Sequence, residues 1–140
     1  MDLFAGTGAL GIEALSRGAA GVTFVETDAR AVAAIRDNLE RTGLAGGDSR
    51  AVRADALAWA ASHGREPVDL VLADPPYEFD GWATLFERLA GATTVLFEHR
   101  KEVEVGGGFE VLRGYRYGGT LVTLAARSRH GPDSSSKDPD

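Results

Sequence analysis

Apolar residues fall along this chain as short runs and as spaced faces, in alternation, and that alternation predicts a fold. Asp2–Phe4 reads as the stub of a strand. Ala9–Arg17 reads as a helix stopped by Gly18. "VTFVE", Val22–Glu26, is a short buried strand. Asp28 is placed to cap a helix in which Val32, Ile35 and Leu39 recur at i, i+3 and i+7, and Gly43 ends it. "RAVRA", Arg50–Ala54, predicts a third strand, and Asp55 caps a short helix that stops before Gly64. "VDLVLA", Val68–Ala73, is a near-continuous apolar run, the signature of a central parallel strand buried on both faces. Trp82, Leu85, Phe86 and Leu89 mark one face of a helix ending at Gly91, and "TTVLFE", Thr93–Glu98, is a fifth strand. The period then changes. Phe109–Arg116 and Thr120–Ala126 are strand-like runs joined by "YGG", which predicts an antiparallel hairpin.

Strand and helix in alternation imply βα units, hence an α/β protein with a mostly parallel sheet. Residues 1–126 make one domain. "RSRHGPDSSSKDPD", 127–140, is polar and unpatterned and is expected to be a disordered tail. With 140 residues the chain is long enough for a real core. No apolar run reaches the roughly 18 residues of a membrane span. There are no cysteines, so disulfides, thiolate metal sites and a cysteine nucleophile are excluded. The net charge of −6 argues against a strong standalone grip on nucleic acid. The expectation is a cytoplasmic monomer that needs neither metal nor membrane.

Gly6-Thr7-Gly8-Ala9-Leu10-Gly11 matches G-x-G-x-x-G between a strand and a helix, and Glu26 ends the next strand 20 residues on. Glycines let the backbone approach a ligand, and the acid can take two ribose hydroxyls. Dinucleotide enzymes and S-adenosylmethionine enzymes share this arrangement. Asp2, four residues ahead of Gly6, separates them. A carboxylate there can hold the ammonium of a methionine moiety, whereas a pyrophosphate prefers backbone N–H groups at a helix N-terminus. Asp55, after the third strand, is placed to accept an adenine amino group as well as to cap its helix.

"ADPPYEF", Ala73–Phe79, follows the best central strand, so Asp74 stands at the carboxyl end of the sheet. Asp74 and the Pro75 carbonyl are two acceptors fixed by two prolines. Together they suit an exocyclic NH2 whose lone pair is delocalised into a base. They can bind its hydrogens, turn the nitrogen and stabilise the charge it develops during attack on a methyl sulfonium. Alignment carries much of such a transfer, with no metal and no covalent nucleophile. Tyr77 can stack on the base. The tetrapeptide does not distinguish guanine N2 from adenine N6.

"DLFAGTGALGIEALSRGA", then "VTFVE", then "DPPY" closely resemble the RsmD family of 16S ribosomal RNA guanine-N2 methyltransferases, and "FEH" and "YRYGGTLVTL" resemble its fifth strand and closing hairpin. The resemblance covers about residues 2–126. It implies a class I S-adenosylmethionine-dependent, Rossmann-like fold. It also implies methylation of one guanine of the small-subunit rRNA, on a ribosomal particle. By that resemblance Asp2, Phe4, Ala5, Gly6, Gly8, Glu26, Thr27, Asp55, Ala56 and Asp74 would line the cofactor. Asp74, Pro75 and Tyr77 would act on the amine, with Pro76, Tyr77 and Phe79 against the base. Trp82 reads first as helix core. His99 reads as a surface or supporting residue and His63 as a surface one.

The family carries an N-terminal segment, with an "RPT"-type stretch, that does not precede Asp2 here. Met1 stands where the family has an aliphatic residue, so strand one is expected to be truncated and Met1 to be an internal position of a longer reading frame. Three other readings remain open. G-x-G-x-x-G alone fits an NAD oxidoreductase, which leaves Asp2 and D-P-P-Y unexplained. D-P-P-Y fits an adenine-N6 enzyme and, less well, a protein-glutamine one. A truncated module could bind the cofactor without turnover.

Overall fold

The computed structural model describes residues 1–128. Eleven elements follow in order: β1 (Asp2–Leu3), α1 (Ala9–Ser16), β2 (Thr23–Glu26), α2 (Ala29–Arg41), β3 (Arg50–Arg53), α3 (Ala56–His63), β4 (Val68–Ala73), α4 (Trp82–Arg88), β5 (Ala92–His99), β6 (Phe109–Tyr117) and β7 (Thr120–Arg127). The strands form one sheet in the order β3-β2-β1-β4-β5-β7-β6. β1 to β5 are parallel, and β7 enters antiparallel between β5 and β6. The β1 ladder takes in Met1 as well, through its nitrogen to the Leu70 carbonyl and its carbonyl from the Leu72 N–H.

Alternation along the strands sorts the core into two layers. Phe24 joins Val22, Ile35 and Leu39 beneath α1 and α2, whereas its neighbour Val25 joins Leu3, Val71, Leu85, Phe86 and Phe97 beneath α3 and α4. Each large side chain buried this way is worth about 1.5–3 kcal/mol against exposure. The predicted caps form: Asp28 accepts from Arg30 N–H, and Asp55 from Ala58 N–H at 3.0 Å.

Three differences from the sequence reading have physical causes. β5 runs on to His99 because β7 pairs with it as far as His99↔Leu121. β7 runs on to Arg127, whose guanidinium donates to the carbonyls of Ala92, Gly107 and Leu89 and lies over the Phe109 ring. The expected tail lies, from residue 129 on, outside the described residues. His63 is not a plain surface residue. It is half-buried and stacks on Trp59 with ring centroids 3.7 Å apart.

Candidate active site

Parallel strands bring their carboxyl ends to one edge, and the strand order reverses between β1 and β4. Open α/β sheets bind ligands in the crevice at such a switch point. The loop after β1 turns there. Phe4 has φ 58°, and among the described residues it is the non-glycine residue with positive φ. Such a conformation costs on the order of 1–3 kcal/mol. Ala5 N–H on the Val25 carbonyl, and the Phe79 ring edge-on at 5.0 Å, hold it in place. Gly11 admits no side chain: a Cβ there would lie 2.3 Å from Cε1 of the buried Phe24.

Three carboxylates come from β1, β2 and the turn after β3. Glu26 accepts the Gly6 N–H on Oε1 at 2.8 Å and the Asp28 N–H on Oε2 at 2.9 Å. Oε2 also accepts the Thr27 hydroxyl, at 3.5 Å, and Oε1 keeps a second lone pair. Asp55 gives Oδ2 to its helix cap, and its Oδ1 takes no hydrogen bond among the described residues. Asp2 stands behind the loop. It is 1% exposed, and its Oδ2 accepts the Gly11 N–H at 3.0 Å. Burial pushes its carboxyl up to about 7, and the Asp74 and Glu26 charges push the same way.

Two cavities open on this edge. One, of about 490 Å³, is lined by Phe4, Glu26, Thr27, Asp55, Ala56 and Phe79 among others. The second, of about 590 Å³, is lined by Tyr77, Trp82, Glu98, His99 and Arg100 among others. Asp74, Pro75, Pro76 and Phe79 line both, so the predicted tetrapeptide is the partition between them. The Pro76 carbonyl accepts the Phe79 N–H, whereas that of Pro75 has no acceptor role among the described residues. Tyr77 is 66% exposed, with the Arg100 guanidinium 4.9 Å over its ring. Trp82 is both helix core and cavity wall, against Phe79, Phe97 and His99.

Of the predicted residues, Phe4, Glu26, Thr27, Asp55 and Ala56 share the first cavity, and Asp74, Pro75, Pro76 and Phe79 join it to the second. Ala5, Gly6 and Gly8 shape the loop beside it, Gly6 through its bond to Glu26. Glu98 and Arg100 carried no assignment in the sequence reading. Glu98 stands out only with the sheet in view: it is the acid one step past Phe97, which pairs with Ala73 just before Asp74. Arg100 sits in a loop whose course no local pattern encodes.

A seven-stranded sheet in this order, with a glycine loop after β1 and an acid ending β2, defines a class I S-adenosylmethionine-dependent methyltransferase fold. The same fold is seen in the magnesium protoporphyrin IX methyltransferase of Synechocystis, solved with bound S-adenosylmethionine (TM-score 0.70, 16% identity, 91% of this chain and 68% of that one). It is seen more closely in Escherichia coli yhhF (TM-score 0.79, 30% identity, 90% of this chain and 73% of that one). The family model described as Conserved hypothetical protein 95 matches residues 1–126. The chain belongs to that family, which is the RsmD family. The ribosomal RNA small subunit methyltransferase D of Escherichia coli (strain K12) is 43% identical over 77 residues, 55% of this chain and 37% of its own length. The chain thus spans well under half of that relative. Among the described residues, no helix is long and apolar enough to cross a membrane.

Proposed function

We propose that this chain transfers the methyl group of S-adenosylmethionine to the exocyclic N2 of a guanine in the 16S rRNA of the small ribosomal subunit. The observation that carries the reading is the shared wall: one cavity on each side of Asp74-Pro75-Pro76, with the two acceptors at the partition. The first cavity fits the cofactor in size and in chemistry. Glu26 can take one ribose hydroxyl on Oε1 and a second on Oε2 in place of the Thr27 hydroxyl, Asp55 has Oδ1 for the adenine amine, and Phe4, Ala56 and Phe79 give apolar walls. Asp2 supports the methionine end from behind the glycine loop. The cofactor supplies an activated methyl group.

On the other side Asp74 and the Pro75 carbonyl hold the amine hydrogens, and Tyr77 and Phe79 receive the base faces. The guanine choice rests on the family. The net charge of −6 suits a substrate presented within a ribosomal particle, in the cytoplasm, where ribosomal proteins share the contact surface. The chain acts as a monomer without a metal.

The test incubates the chain with labelled S-adenosylmethionine and small-subunit particles from Escherichia coli lacking methyltransferase D, then maps the labelled base. Label on guanine N2, lost in Asp74→Ala, is expected. Label on adenine overturns the base assignment, label in the variant overturns the role of Asp74, and cofactor binding without transfer overturns the enzymatic reading.

A further inference from the structure

Asp74 does not face the second cavity alone. β4 and β5 are parallel and in register to their ends, with Ala73 opposite Phe97. The residue that follows each of this pair is an acid, Asp74 just past the end of β4 and Glu98 within β5, and both line that cavity. We propose that Glu98 reads the N1–H of the target guanine, so that Asp74 and Glu98 together take the two adjacent donors of its Watson–Crick edge. This rests on the guanine-N2 reading above and names the residue that would enforce it.

Elimination among the neighbours supports the assignment. Both ring nitrogens of His99 are already engaged, Nδ1 with the Lys101 carbonyl at 2.7 Å and Nε2 with Thr123 Oγ1 at 2.8 Å. The Arg100 guanidinium lies over Tyr77. Asp80, Glu102 and Glu104 also line this cavity, but from loops; Glu98 is the carboxylate on the strand paired with β4, which makes it the acceptor beside Asp74. In the free protein the two carboxyls satisfy each other: the hydrogen bond to Asp74 pushes the Glu98 carboxyl up, and burial adds to it. Two adjacent carboxylates avoid being ionised together, and a proton between them relieves the repulsion. A base that presents two neighbouring N–H groups can stand in for that proton. Guanine does so with N1–H and N2–H. Adenine sets N6–H beside the bare lone pair of N1, and cytosine sets N4–H beside that of N3, so each would meet the second carboxylate as a repulsion.

2-Aminopurine carries the same 2-amino group beside an N1 with no hydrogen; it also lacks O6, so the change in the ratio on Glu98→Gln, rather than the ratio alone, reports on N1–H. The test uses small-subunit particles reconstituted with RNA that carries guanine or 2-aminopurine at the mapped nucleotide, and compares kcat/KM for the full chain and for Glu98→Gln. Wild type should prefer guanine by about 10- to 100-fold, the worth of a good paired contact to a base edge. Glu98→Gln should bring the two bases to within about threefold while S-adenosylmethionine binds as before. A wild-type ratio retained by a variant that binds the cofactor overturns the inference and leaves the guanine reading intact. Wild-type label on adenine, or none on any base, overturns the guanine reading and the inference with it. If Glu98→Gln does not fold, Glu98→Asp decides: its shorter arm should cut the ratio at least severalfold, and an unchanged ratio overturns the inference.

Discussion

The two cavities share a wall and are otherwise built on opposite plans. On the first side three carboxylates are pinned by backbone N–H groups: Glu26 by Gly6 and Asp28, Asp55 by Ala58, and Asp2 behind them by Gly11. Their positions follow from the path of the main chain. On the second side the groups are side chains reaching out from strand ends and a loop, with Tyr77 66% exposed beneath the Arg100 guanidinium. A rigid cradle suits a small ligand of fixed shape, because little ordering remains to be done on binding. An open set of aromatic and charged side chains suits a base that must be delivered from a much larger partner.

The contrast can be broken where the halves meet. Asp74→Ala should reduce transfer by roughly 10²- to 10³-fold, the usual loss for one stabilising acceptor or donor at a reacting centre. Calorimetry should show S-adenosylmethionine still bound within about tenfold, because Glu26 and Asp55 remain. A smaller effect should separate the halves from the first side. Glu26→Gln should weaken S-adenosylmethionine binding by about tenfold, the worth of one charge-assisted hydrogen bond, and leave kcat at saturating cofactor near that of wild type. A fall in kcat would mean the cradle is not independent of the chemistry.

From the second side, Tyr77→Ala should raise the KM for RNA about five- to tenfold, as loss of one stacking face does, with cofactor affinity unchanged. Steady-state kinetics with the particle substrate read this.

The smallest effect tests the foundation of the cradle. Asp2 titrates near 3.8 when unfolded and at about 7 in the fold. Between those values the folded chain holds a proton that the unfolded chain has lost. The associated stability is therefore complete below 3.8 and disappears as pH rises through 7. Asp2→Asn lacks this slope, so its melting temperature should vary less between pH 4 and 7 than that of wild type. Parallel slopes in thermal melts would show that Asp2 ionises freely.

The first cavity was legible in the sequence because local chemistry dictates it. Asp28 and Asp55 cap helices wherever such residues precede an apolar face, and Val68–Ala73 announces a buried strand without reference to its neighbours. "DPPY" follows that strand directly, so the partition was placed as well. The second cavity depends on who sits beside whom. Glu98 becomes interesting only when β5 is known to lie against β4 in register, and Arg100 only when its loop folds back over Tyr77. Trp59 and His63 likewise stack because one turn of α3 brings them together, against a reading that left His63 in solvent. Arg127 looked like the first residue of a polar tail because its partners, Leu89, Ala92 and Gly107, are all backbone carbonyls, which no side-chain pattern reveals.

The strand order has a consequence in time. Among the described strands β7 is synthesised last, yet it lies inside the sheet, between β5 and β6. Until it emerges, β5 carries an open edge from Thr94 to His99, the very strand that holds Glu98 in the second cavity. β6 cannot close that edge, because in the finished sheet its partner is β7. An unpaired edge invites pairing with other chains. During synthesis, the half of the molecule that we assign to the base is thus the half that waits, while the strands from β1 to β3 can already assemble their own ladder. Removing β7 would not trim a rim from the sheet; it would open the wall beside the site.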